Sequence, residues 1–314
     1  MTAFRSSGGP GRGKRQTASF LIRRFEEVGI RPDTRKGQHF LIDLNLLQLL
    51  VDAAGLTRQD VILEVGTGLG SLTSLLASRA AWVITVEIDS RLQQLAAEQL
   101  AEHVNITMLR QDALKNKNHL HPEVMEAVRQ ELQKDPARRF KLVANLPYQI
   151  ATPVVSNLLA ADLPLCSMTV TIQKELADRL AARPWSKDYG ALSVWVQSQC
   201  DTRIVRVLPP TVFWPRPKVH SAIVHLEASP SKRRRIPDPA FFHGFVRALF
   251  LHRRKLLRSA LCAAWKTALP KSAVDRILES QRLAPEARAE QLDIDTLLAL
   301  SESLRQCMLP GSRT

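Results

Sequence analysis

Val61-Ile62-Leu63-Glu64-Val65-Gly66-Thr67-Gly68-Leu69-Gly70-Ser71-Leu72-Thr73 is the stretch whose reading decides the fold. A short apolar strand runs into a glycine-rich turn, and the turn runs into a helix-forming segment. In such a βα unit the glycines let a ligand approach the backbone. Ser71 stands where a dinucleotide fingerprint has Gly or Ala, which weakens a pyrophosphate-binding reading. Working outward, strands are predicted over Val83–Val86, Asn105–Leu109, Lys141–Ala144 and Met168–Gln173. They alternate with helices over Pro122–Gln133, Pro153–Ala160 and Lys174–Ala182, the first read as a surface helix. Ala191–Gln199, Ile204–Val207 and Ser221–Leu226 read as further strands. Alternation followed by a run of strands predicts an α/β fold, a Rossmann-like and mostly parallel sheet with an antiparallel edge.

Polar residues recur just past the strand ends. Glu87 closes the second strand, 17 residues after Gly70, placed to accept two hydrogen bonds from ribose hydroxyls. Asp112 follows the third strand, where its carboxylate can accept from an adenine amine. After the fourth, Pro147 cannot continue a central ladder, so Asn145 is left at the carboxyl end. Asn145-Leu146-Pro147-Tyr148 offers an amide oxygen, a carbonyl held extended by the following proline, and an aromatic face. Together these describe a clamp for an aromatic amine such as that of adenine. Two acceptors on its hydrogens favour the pyramidal nitrogen, whose lone pair can attack an electrophilic methyl group while Tyr148 stacks on the ring.

The chain has 314 residues and a formal net charge of +14, a field whose commonest use is a nucleic-acid partner. No apolar run reaches the roughly 18 residues of a membrane span. Cys166, Cys200, Cys262 and Cys307 lie far apart with no C-x-x-C pair, so neither a metal site nor a disulfide framework is expected, and the protein reads as cytoplasmic. Residues 1–18 read as a disordered basic arm; Gly8-Gly9-Pro10-Gly11 would break the amphipathic helix of an organellar transit peptide. A helix is expected from Phe20 to Val28 and another from Leu44 to Ala54. Ser229 to Pro237 reads as a basic linker between a domain at 19–228 and an all-α domain at 229–314, whose helices are expected at Pro239–Leu249, Lys255–Ala268, Lys271–Gln281 and Ile294–Cys307. Between Arg203 and Arg258 stand thirteen cations against two acids. Within that span, Phe213-Trp214-Pro215-Arg216-Pro217-Lys218 mixes aromatics and cations, as suits stacking and phosphate contact, or else a rigid connector whose aromatics cap the core.

Gly37-Gln38-His39-Phe40-Leu41, Glu64-Val65-Gly66-Thr67-Gly68, Glu87-Ile88-Asp89, Asn145-Leu146-Pro147-Tyr148, Gln173 to Leu180, Asp188-Tyr189-Gly190, Phe213 to Val219 and Phe250-Leu251-His252-Arg253-Arg254-Lys255 resemble, in order, the ribosomal RNA adenine dimethyltransferases. The resemblance is strongest to the bacterial small-subunit branch. That branch uses S-adenosylmethionine to put two methyls on each of two adjacent adenosines near the 3′ end of 16S ribosomal RNA. It implies cofactor contacts at His39, Leu41, Gly66, Gly68, Glu87, Asp112 and Asn145. It implies an amine clamp at Asn145, Leu146 and Pro147, with Tyr148 on one face of the base and Phe213 on the other. RNA contacts are expected at Arg216, Lys218, Arg253, Arg254 and Lys255, with the small ribosomal subunit as partner and the chain as a monomer. Three features depart from the pattern: His39 replaces a common Asn, Thr67 replaces a common Pro, and Lys115 to Arg139 is longer than usual. The alternatives are a large-subunit relative conferring antibiotic resistance, which usually has Ile at the Leu146 position, and a non-catalytic assembly or transcription factor on the same fold.

Overall fold

In the computed structural model, residues 18–27, 29, 32–33, 37–284 and 286–308 are described. The expected basic arm lies almost wholly outside them. Seven strands form the central sheet: β1 (Asp60–Val65), β2 (Trp82–Glu87), β3 (Ile106–Arg110), β4 (Arg139–Asn145), β5 (Leu165–Gln173), β6 (Cys200–Leu208) and β7 (Ser221–Ala228). Their order is β3-β2-β1-β4-β5-β7-β6. The first five are parallel, and β7 runs antiparallel to both β5 and β6. Leu63 on β1 sits between Ile84 and Leu142, fully buried on a strand covered on both faces, which is why β1 reads as an unbroken apolar run. The order reverses between β1 and β4, so their carboxyl ends diverge into the crevice where ligands of such sheets bind.

The helices are α1 (Ala18–Glu27), α2 (Leu44–Ala53), α3 (Ser71–Ala77), α4 (Ser90–Leu100), α5 (Pro122–Gln133), α6 (Ala151–Ala160), α7 (Lys174–Leu180), α8 (Ala191–Gln197), α9 (Pro239–Leu251), α10 (Leu257–Ala264), α11 (Lys271–Ser280) and α12 (Ile294–Met308). Asp43 and Asp89 cap α2 and α4 by accepting from backbone N–H groups of the first turn. None of the described helices is long and apolar enough to cross a membrane.

Three expectations need correction. Ala191–Gln199, expected as a strand, holds helix α8. Val194, Trp195 and Val196 are all buried because α8 lies between the α/β unit and α9, and burial all round erases the periodicity that marks a surface helix. Helix α5 is not a surface helix: Val124, Met125 and Val128 pack against the sheet, making it the cover of the β3–β4 crossover. The Lys115 to Arg139 segment thus supplies a layer of the fold. Third, the basic linker is riveted down. A single helical turn at Pro230–Arg233 is held as Lys232 donates to Asp201 at 2.7 Å, Arg233 to the Ala161 carbonyl at 3.3 Å and Arg235 to Asp295 at 2.6 Å. One buried cluster runs from Val61 on β1 through Trp195 to Leu304 on α12, so the carboxyl-terminal helices share the core of the sheet.

Candidate active site

A cavity of about 350 Å³ opens at the carboxyl ends of β1, β2, β3 and β4, within the range of small-molecule sites. His39, Leu41, Gly66, Gly68, Glu87, Asp112, Asn145, Leu146 and Pro147 all line it. The sequence had spread these residues over more than a hundred positions.

The glycine loop is the floor. Gly68 has φ +56°, and a Cβ there would stand 3.1 Å from the Phe40 ring, so a side chain would strain the backbone and push on the wall. The Gly68 N–H donates to Glu87 Oε2 at 3.0 Å, and the Asp89 N–H donates to Oε1 at 3.0 Å. Glu87 is only 5% exposed, and burial pushes its carboxyl above the usual range while the two amides pull the other way. Each oxygen keeps a further lone pair for a donor from the cavity. Asp112 Oδ1 accepts from the Leu114 N–H at 2.9 Å, which orients the carboxylate at the rim.

Beneath the loop, Glu64 is fully buried and accepts from Thr73 Oγ1 at 2.6 Å and Thr85 Oγ1 at 2.7 Å. Thr85 uses its proton on Glu64, so Thr67 must donate to Thr85 across their 2.6 Å contact. The departure from Pro at position 67 thus ties the loop to β2. Desolvation pushes the Glu64 carboxyl up to about 8.

A strap at 37–41 closes the other side. A Cβ at Gly37, φ +73°, would lie 3.0 Å from the Tyr148 amide nitrogen, so only glycine lets the strap press on the Asn145 to Tyr148 turn. Asn145 Nδ2 donates to the His39 carbonyl at 2.9 Å. A carbonyl only accepts, so the amide nitrogen faces the strap and Oδ1 remains an acceptor. His39 Nδ1 donates to the Pro215 carbonyl at 2.6 Å, which in the neutral ring leaves Nε2 with the lone pair.

Two predicted residues lie off the cavity. Tyr148 is half-buried, its hydroxyl 2.6 Å from Ser221 Oγ and its ring tilted on His39 with centroids 5.1 Å apart. Phe213 is 3% exposed and does not reach the cavity. It pairs with Leu41 in a two-residue ladder and packs with Leu47 and Leu50, because strand alternation turns it inward and sends Trp214 toward Phe25, 5.0 Å away. Trp214 is therefore a cap on the core. Conversely, the sequence reading missed Gln111 and Ile88, which both line the cavity. Gln111 Nε2 is buried with no hydrogen-bond partner among the described residues, and Ile88 is 57% exposed. Their signal was position, each being one residue from an acid already singled out.

The profile of the ribosomal RNA adenine dimethylase family matches residues 31–306. The chain belongs to that family. Among its relatives, the ribosomal RNA small subunit methyltransferase A of Lactiplantibacillus plantarum is 40% identical, over 90% of this chain and 93% of its own. The protein of the same name from Bacillus licheniformis is 39% identical, over 87% and 91%. Two crystal structures share the dimethylase fold. A dimethyladenosine transferase from Plasmodium falciparum matches with TM-score 0.69 at 24% identity, over 84% of this chain and 96% of that one. The 23S rRNA methyltransferase ErmE matches with TM-score 0.59 at 25% identity, over 85% and 100%.

Of the basic residues expected on RNA, Arg216 and Lys218 are exposed on the loop whose Pro215 holds His39. Arg254 and Lys255 are exposed as well. Arg253 is different: it donates to Glu290 at 2.8 Å and to the Lys187 carbonyl at 3.0 Å, and so joins two parts of the fold.

Proposed function

We propose that this chain is an S-adenosylmethionine-dependent dimethyltransferase of adenosine N6 in small-subunit ribosomal RNA, acting on two adjacent adenosines near the 3′ end of 16S RNA. The observation that carries the reading is Asn145, its amide nitrogen committed to the His39 carbonyl so that Oδ1 is left as the acceptor, on the cavity that Glu87 and the glycine loop also line. Glu87 would take the ribose hydroxyls of the cofactor, Asp112 and Gln111 the adenine edge, and Ile88 its face. His39 Nε2 would accept from the amino group of the methionine end. When bound, the cofactor supplies a methyl group already activated on sulfonium, so the protein's task is positioning and exclusion of water rather than strong base catalysis. Asn145 Oδ1 and the Leu146 carbonyl would hold the target amine, with Tyr148 beside the base.

The name shared by relatives about 40% identical supports the small subunit over the large one, as does Leu146. The 229–314 helices, with Arg216 and Lys218, would grip RNA through phosphates. The test is methyl transfer to small subunits purified from cells lacking this gene, with the modified nucleosides read by mass spectrometry. Dimethyladenosine at two adjacent positions is expected; methylation confined to 23S RNA, or none, would sink the reading.

A further inference from the structure

Four of the five tryptophans are wholly or partly buried and belong to packed clusters: Trp82, Trp195, Trp214 and Trp265. Trp185 is 74% exposed. It also has φ +71°, one of two non-glycine residues with positive φ among those described. A bulky side chain is strained in that region, and an exposed indole returns nothing to folding. The turn does not need the ring. The Trp185 N–H donates to the Glu290 carbonyl at 2.9 Å and the Ser186 N–H to the Arg183 carbonyl at 3.2 Å, bonds that any residue would make.

The surroundings are rigid and basic. Arg253 bridges the Glu290 carboxylate and the Lys187 carbonyl, and Tyr189 donates to the Leu292 carbonyl at 2.9 Å, so the loop is braced on the carboxyl-terminal helices. Exposure alternates along it: Arg183, Trp185 and Lys187 face solvent. Arg254 and Lys255, beside the bracing Arg253, are exposed too, and none of these four cations has an ion pair among the described residues. Asp188 is the one acid within the loop from 183 to 189.

We propose that Trp185 is a stacking platform for an unpaired nucleotide of the RNA substrate, with Arg183, Lys187, Arg254 and Lys255 on the flanking phosphates. The assignment rests on the RNA-modifying reading above. An exposed aromatic set rigidly among unpaired cations is the surface that single-stranded nucleic acid takes, stacking supplying contact with any base and the cations following the backbone.

The test compares wild type, Trp185→Asn, Trp185→Phe and Lys187→Gln for binding to unmethylated small subunits, protein-free 16S RNA and oligoadenylate RNA. Asn suits positive φ, so Trp185→Asn should melt no lower than wild type and bind S-adenosylmethionine equally. It should lose about tenfold in affinity for all three probes, with Phe restoring most of it. Its salt dependence should parallel wild type, whereas Lys187→Gln should flatten the log–log slope by about 0.7 to 0.9. Equal affinity of Trp185→Asn and wild type for all three overturns the platform. A loss seen with subunits alone, absent with both protein-free RNAs, assigns Trp185 to a ribosomal protein and also overturns it. If wild type methylates no small subunit yet the tryptophan still matters for the RNAs, the proposed function falls and the platform stands.

Discussion

Glu87 at the carboxyl end of β2 and Arg258 among the carboxyl-terminal helices each make two hydrogen bonds, with opposite consequences. Glu87 is 5% exposed and held by backbone amides of Gly68 in the glycine loop and of Asp89 just after it, which orient its oxygens and leave each a lone pair to share. Arg258 is exposed and faces Asp275 through two bonds of 2.5 and 2.8 Å, which satisfies the guanidinium locally. Lys232, Arg235 and Arg253 are likewise paired, with Asp201, Asp295 and Glu290. A buried polar group pinned by backbone points to a ligand. A surface cation does so only when no carboxylate has claimed it.

If that contrast holds, the largest effect belongs to Asn145→Ala. Turnover should fall by about a thousandfold, the upper range for loss of one positioned polar group, while RNA affinity stays within about twofold. Single-turnover transfer beside RNA binding measures both, and lost binding with normal transfer in the bound complex would break the assignment. Glu87→Ala should cost roughly 3 kcal/mol, about a hundredfold, in S-adenosylmethionine affinity. Calorimetry on the folded mutant decides, and unchanged affinity would remove Glu87 from the cofactor site.

Glu64 sharpens the comparison from beneath the loop. Unfolded, it ionises near its ordinary 4.5; folded, it keeps its proton to about 8. Its contribution to stability is therefore whole below pH 4.5 and is lost as pH rises through 8, on the order of 5 kcal/mol across that window. Glu64→Gln should flatten the fall of stability with pH in denaturant titrations; an unchanged slope would mean the carboxyl is ionised. The smallest effects separate free from paired cations. Arg254 and Lys255 changed together to Gln should flatten the salt dependence of RNA binding by about 1.4 to 1.8 in log–log slope. Lys232 and Arg235 changed together should leave that slope alone and cost at most about 1 kcal/mol of stability. Equal slopes for the two pairs would erase the distinction.

Local chemistry was legible wherever one segment carries it. The strand, the glycine turn and helix α3 follow from the eighteen consecutive residues Asp60–Ala77, and Glu87, Asp112 and Asn145 announce themselves as polar groups just past apolar strands, so the fold class and much of the cavity lining were readable from the chain. The family resemblance supplied His39 and Leu41, which lie on no strand of the main sheet. What pairing across the chain decides was not readable. Phe213 turns inward because residues 213–214 ladder with 40–41, some 170 positions away, and α8 lost its helical periodicity because the α/β unit and α9 bury it from both sides. Which cations remain free was equally hidden, since Asp201, Asp275, Glu290 and Asp295 find their partners only after folding. Backbone propensity, apolar periodicity and the position of a polar residue past a strand are properties of neighbours in sequence, so the sequence determined them. Burial and charge neutralisation depend on neighbours in space, and the tertiary structure alone decided those.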